Sequence, residues 1–356
     1  MSRKGPTLVE VLVVIIVLGV LITLLMPTVC VIPREVARRM QCGNNVKELC
    51  LGLQNYHDTF LCLPYGARKR TVGDHEEVSW GSSWLTAILP FCEKRQQFDN
   101  IYTADVRDAA NDYISATVLQ TAANAKIKYM ICPSSPLPEM ETLGSFSLVL
   151  PSYAGIMGAT DHVVPGSKSA LLSTVDKFER IVAGPYGGRA AANGMLPLNE
   201  SLTFEQCTDG TANTIIVGEV SDWYYNDAGQ KFNPALAVAN AGDGPHAAAG
   251  WLAGTDLDFK VSKDGQAVPA HRVLNLITLD HAVGINNLGG KKDNHPNWGT
   301  AGIGRVGLNN PLLAAHPAGA MVGFADGHVL LLTKQTSPQV IKQLSQRDDG
   351  GEIPEF

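Results

Sequence analysis

The chain has 356 residues, 45% of them hydrophobic and 17% charged, with a formal net charge of −6. That balance excludes a disordered chain and provides for one large core or two modest ones. No basic stripe with interleaved aromatics is present, which excludes a nucleic-acid partner. There is also no G-x-S-x-G, H-E-x-x-H, P-loop or strand-to-helix G-x-G-x-x-G, so no enzyme activity, catalytic residue or resident cofactor is expected.

The first element is an apolar run from Thr7 to Met26 in which Glu10 is the single ionisable residue between Lys4 and Arg34. As a helix, twenty such residues rise about 30 Å and match a bilayer's hydrocarbon core. A carboxylate there costs on the order of 2.5–3.5 kcal/mol, less near an end, and calls for a partner such as an amine. An ordinary secretory signal would place a small-residue cleavage site after the run, and Met26, Pro27, Thr28, Val29, Cys30 offers none. A plain signal anchor needs neither Glu10 nor Gly5.

Pro27 and Pro33 are expected to bend or loosen the helix. Val46, Leu49, Leu53, Tyr56 and Phe60 then step by three and four, one face of an amphipathic continuation. Gly43 and Gly52 within it each cost up to about 1 kcal/mol against Ala unless packing needs them. Residues 80–104, with Trp80, Trp84, Phe91 and Phe98, read as a short helix or loop. Asn111 to Lys128 reads as a second helix, and Tyr129 to Ile131 as a strand stopped by Cys132-Pro133. The remainder, rich in Gly, Pro and Asn with short apolar runs, is a β domain with long loops.

Two turns stand out. Asp209-Gly210 feeds the β-branched run Thr214 to Val217. Asp326-Gly327 joins Ala320–Ala325 to His328–Leu332, the dipeptide of a type I′ hairpin. His316, ten residues before Asp326, is placed to share a hydrogen bond with it across the hairpin, a structural role rather than acid–base catalysis. The polar and aromatic tract Asp293, His295, Trp298 reads either as a ligand loop of the kind that binds sugars or as ordinary surface. Seven cysteines cannot all pair. Cys42, Cys50 and Cys62 lie too far apart along one helix to bridge one another, so any bridge reaches Cys92, Cys132 or Cys207.

The leader Ser2 to Glu10, with Gly5 five residues ahead of the carboxylate, resembles the class III leader of type IV prepilins and type II secretion pseudopilins. Further motifs follow in order: Ala37 to Cys42; Asn55 to Asp58; Cys132 to Ser134; Ser152 to Gly155; Asp209 to Thr214; and His316 with Asp326-Gly327. Together they resemble the prepilin-like family numbered 1559 among domains of unknown function. Pro6 departs from the pattern, which usually has Phe there.

The resemblance implies an α+β fold. A long N-terminal helix, transmembrane and then amphipathic, packs as a pilin-like lollipop on a mainly antiparallel β domain. Its parts are a leader (1–5), a transmembrane half (6–30), an amphipathic half (31–62) and a globular domain (63–356), β-rich from about 129. A prepilin peptidase cuts between Gly5 and Pro6. Glu10 meets the terminal amine of a neighbouring subunit, and Pro27 sits at the usual kink. Partners are copies of itself or other pilin-like subunits and the membrane. The body lies outside the inner membrane and later in a filament or at the cell surface. The function so implied is that of a filament subunit; the alternative is a membrane-anchored module binding glycans or solutes. Because pseudopilins can carry calcium, Asp209, Asp222, Asp243 and Asp256 are the oxygen donors to follow, although no EF-hand spacing is present.

Overall fold

The computed structural model describes residues 7–71, 78–107, 115–123, 125–143, 145–160, 162–163, 172–173, 180–184, 188–225, 231–232, 250–255, 257, 260–261, 267–268, 273–286 and 308–353, with no description of side chains at 24–33. Helix α1 (Leu8–Phe60) opens the fold. Thr7 caps it, and Glu10 closes a capping box by accepting the Thr7 amide at 2.8 Å. It ends on Leu61 in the left-handed conformation, φ 58°. The helical run continues without a break through positions 27 and 33.

The core is a five-stranded sheet of β1 (Tyr153–Ala159), β2 (Ile215–Glu219), β3 (Leu276–Leu279), β4 (Gly319–Phe324) and β5 (Val329–Thr333), in the order β3-β1-β2-β4-β5. Every neighbouring pair is antiparallel except β3 with β1. Among the described residues there are also five two-stranded ribbons. The chain is therefore α+β with a mainly antiparallel sheet.

Side-chain alternation sends the two faces of the sheet to different partners. Tyr153, Met157 and Val217 face the cluster that holds Cys42, Val46, Leu49, Cys50 and Leu53 of α1. Ala154, Ile156, Val322 and Phe324 face Val340, Ile341 and Leu344 of the terminal helix Pro338–Leu344. The sheet is thus a middle layer between α1 and the terminal helix. Close approach of α1 depends on glycine. A Cβ at Gly323 would strike Cys50 Sγ and Val46, one at Gly43 would press on Met321, and one at Gly52 would meet Cys92 and Ile88. The two helical glycines are packing positions.

Three local expectations change. Residues 78–107 form a strand (Val78–Ser83), a helical turn (Trp84–Ala87) and a full helix (Arg95–Arg107). Of the helix expected over 111–128, residues 111–114 lie outside the described residues, and the described part is helical over Ala116–Ala122, capped by Ser115. In place of a strand, Lys128–Met130 is a 3-10 turn. Met130 N and Ile131 N bond locally to Ile127 O and Lys128 O, while Met130 O accepts the Ser152 amide at 2.8 Å. The amphipathic stripe also ends early: Val46, Leu49 and Leu53 are buried, whereas Phe60 is 55% exposed.

Apolar side chains from Leu8 to Ile22 are exposed, none by less than 46%. No helix among the described residues is long and apolar enough to cross a membrane. The described side chains of the apolar run stop at Thr23.

Candidate functional site: a buried sulfur, imidazole and carboxylate cluster

Four elements converge beneath α1. Cys42 comes from α1 itself, Cys132 from the turn after Lys128–Met130, Glu219 from the end of β2, and His316 from the loop entering β4. Cys42 and Cys132 are bridged, with Cα atoms 5.3 Å apart and a sequence separation of 90. The bridge fastens the helix to the β domain. It is one of the pairings the cysteine spacing left open.

His316 is 1% exposed and Glu219 fully buried. The His316 Nε2 atom lies 3.5 Å from Cys132 Sγ and 3.6 Å from Glu219 Oε1. Its Nδ1 lies 2.9 Å from Glu35 Oε1 on α1. A carboxylate only accepts, so Nδ1 carries the proton and Nε2 is the ring atom turned into the cluster. Ser134 Oγ donates to the same Glu35 oxygen at 3.1 Å.

Glu219 is held from both sides. Ser221 Oγ donates to Oε1 at 2.7 Å and the Met321 amide to Oε2 at 3.1 Å. Burial pushes its carboxyl above the ordinary 4.5, against the opposing pull of His316 and these two donors. For Glu35, slight desolvation raises the carboxyl, but bonds from His316 and Ser134 and the charges of His316 and Arg38 outweigh it. The net direction is below 4.5. The surface carboxylate stays ionised while the buried one resists ionisation.

The walls are polar where they must be. Asn45 Nδ2 donates to Ile131 O at 2.8 Å, Ser152 Oγ accepts the Cys132 amide at 3.0 Å, and Tyr153 Oη donates to Cys42 O at 3.4 Å. One ligand atom each from Cys42, Cys132, Glu219 and His316 fall within 4.8 Å of one another, the single such group among the described residues. Cys50, Cys62, Cys92 and Cys207 are elsewhere and unbridged. Burial pushes the thiols of Cys50 and Cys92 up to about 12.

The expected partnership of His316 with Asp326 is overturned. Asp326 instead pairs with His328, Oδ1 to Nδ1 at 2.6 Å, and accepts the His328 amide. Gly327 alone takes positive φ, +85°, with Gly327 N bonding to Phe324 O and Phe324 N to His328 O. That is a three-residue loop with a left-handed glycine, not the I′ turn. The turn therefore needs no help from His316.

Asp209 has become a latch. Its two carboxylate oxygens accept the Asp349 and Gly350 amides at 2.6 and 3.0 Å, and Gly210 turns with φ +96°. Asp222 accepts its neighbour's amide, Trp223 N, at 2.7 Å. Neither belongs to the buried ligand group. Gly5, Pro6, Asp243, Asp256, Asp293, His295 and Trp298 lie outside the described residues, as does the side chain of Pro27.

A second concavity occupies the far end of α1. Tyr56, Phe60, Tyr65, Phe91, Phe98 and Tyr102 line a cleft of about 480 Å³ that also includes Arg68 and Asp105. Trp251 is fully buried.

A family model described as a protein of unknown function, DUF1559, matches residues 33–339. The chain belongs to that family. No curated protein and no solved structure matches it. Sequence reasoning singled out His316 and the Cys132-Pro133-Ser134 segment but missed Glu219 and Glu35. Glu219 carried a visible signal: an acid one residue beyond the β-branched run Ile215 to Val217, separated from it by Gly218, in a strand every residue of which is buried.

Proposed function

We propose that this protein is a structural subunit of an extracytoplasmic pilus-like or pseudopilus-like filament, assembled through α1 and without catalytic activity. One observation carries the reading. The same helix is packed against the β domain from Cys42 to Leu53 and bare and apolar from Leu8 to Ile22, where exposures run from 46% to 82%. Each such side chain moved out of water contributes about 1.5–3 kcal/mol, so this face seeks lipid or the equivalent faces of neighbouring subunits. Membrane insertion precedes assembly on this reading, with the body outside and a leader removed at Gly5. Glu10, which in the single chain accepts its own Thr7 amide, is free to exchange that partner for a neighbour's terminal amine.

The test is expression of the full chain with a prepilin peptidase, followed by intact-mass measurement and electron microscopy. Loss of residues 1–5 and regularly spaced filaments, depleted in Glu10→Ala, are expected. Undiminished filaments in Glu10→Ala overturn the register role, and monomeric chains throughout overturn the filament.

The aromatic cleft favours a second reading, an anchored module that binds a glycan or solute. Saturable oligosaccharide binding lost in Phe91→Ala, with no polymer in the microscope, selects it.

A further inference from the structure

The buried cluster contains more than a disulfide requires. A covalent staple needs no ionisable neighbours, and burying a carboxylate and an imidazole costs free energy that must be offset by partners. Here both are aimed at the sulfurs. Glu35 fixes the His316 ring from behind and turns Nε2 inward, as carboxylates do behind metal-bound imidazoles, and Glu219 is in turn held by Ser221 and the Met321 amide. Two sulfurs, one imidazole nitrogen and one carboxylate oxygen within 4.8 Å make a four-donor set of the kind tetrahedral zinc takes.

We propose that Cys42, Cys132, His316 and Glu219 form a redox-gated site that holds one Zn²⁺ when the cysteines are reduced and none when they are bridged. The chemistry balances with a dithiol reductant. Exchange breaks the S–S bond, passes two electrons and two protons to Cys42 and Cys132, and leaves the reductant as its own disulfide. Zn²⁺ then displaces the two thiol protons, along with that of Glu219 where it is protonated, and binds two thiolates, His316 Nε2 and the Glu219 carboxylate. Reoxidation by an external disulfide, which takes up the two electrons and leaves as its dithiol, rebuilds the Cys42–Cys132 bond, removes both sulfur ligands and expels the ion. Cys50 and Cys92, with thiols pushed up to about 12 by apolar burial, do not compete.

The consequence is positional. Because the four ligands come from α1, two loops and the end of β2, the ion replaces the disulfide as the clasp between the helix and the β domain. The inference is independent of whether the chain forms filaments.

Cobalt(II) serves as the probe. Full-length protein in detergent is titrated before and after reduction by a water-soluble phosphine, which leaves as its oxide. Expected are tetrahedral d–d bands and thiolate-to-cobalt charge transfer saturating at one ion per reduced chain, with neither feature in oxidised protein. Excess Zn²⁺ should bleach both. The double variant Cys42→Ser, Cys132→Ser should lose the charge-transfer band. Since that variant also loses the staple, His316→Asn and Glu219→Gln are tested alongside, each first shown to be folded in its oxidised form by near-ultraviolet dichroism. Their cobalt affinity should fall by about tenfold or more, and Glu35→Ala by about tenfold through the second layer. A reduced wild type without thiolate–cobalt bands, or bands that survive in the double serine variant, overturns the proposal. So does wild-type affinity in a folded His316→Asn.

Discussion

Glu35 on α1 and His316 in the loop before β4 stand 2.9 Å apart, Oε1 to Nδ1, across 281 residues of sequence. The pair joins a half-exposed carboxylate to a buried imidazole, and through it to the bridge that ties α1 to the sheet.

The two carboxyls around His316 give stability opposite pH signs. Glu35 has a folded value below 4.5, so its contribution is present above 4.5 and lost as pH falls through the depressed value. Partial exposure holds it below about 1 kcal/mol. Glu219 has a raised value, so its contribution is complete below 4.5 and lost as pH rises through the raised value. Urea midpoints of Glu219→Gln measured from acid to neutral pH should therefore gain on wild type as pH rises, while those of Glu35→Gln should lose ground over the same change. Parallel curves for all three proteins would refute the assignment.

The bridge closes a loop of 90 residues. Replacing Cys42 and Cys132 together by Ser should cost about 3–5 kcal/mol in metal-free buffer, read as a lower denaturant midpoint. Phosphine treatment of wild type should reproduce the loss, and added Zn²⁺ should restore part of it to the wild type alone.

Gly323 is where β4 touches α1. An Ala Cβ there would collide with Cys50 Sγ and Val46 Cγ1. Gly323→Ala should destabilise by about 1–3 kcal/mol, and pairing it with Val46→Ala should recover part of that loss. Additive costs in thermal melts would show that the helix does not rest on this strand.

The Asp209 latch predicts a second pH effect. Burial, together with the nearby charge of Asp209, pushes the Asp349 carboxyl up to about 6. Its stabilising contribution is therefore full below 3.8 and lost as pH rises through about 6. Amide exchange at Gly350 should quicken as pH passes that value by more than the intrinsic rate accounts for. Asp349→Asn should remove the excess. Asp209→Ala should free the tail at every pH and cost about 1.5–3 kcal/mol, the range for charge-assisted hydrogen bonds.

Much of the architecture was legible because it is written in local patterns. The apolar run and the stripe Val46, Leu49, Leu53 announce one helix; the β-branched run at Ile215 to Val217 and the paired runs around Asp326-Gly327 announce strands, since periods of 3.6 and 2 are properties of neighbouring residues. Tyr56 and Phe60 continue the helical period, yet leave the core to line a cleft. Periodicity shows which side chains share a face and not what covers that face.

The family, the long helix and the α+β class were legible in the sequence, because each rests on short-range spacing or on motifs in fixed order. Tertiary structure alone decided that Cys42 bridges Cys132, that His316 turns from Asp326 to Glu35 and Glu219, and that Asp209 holds the chain's end. Those pairs all lie 90 or more residues apart. Spacing carries no record of such distances; the packing of α1 on the sheet brings the partners together, and burial then selects which of them can bear charge.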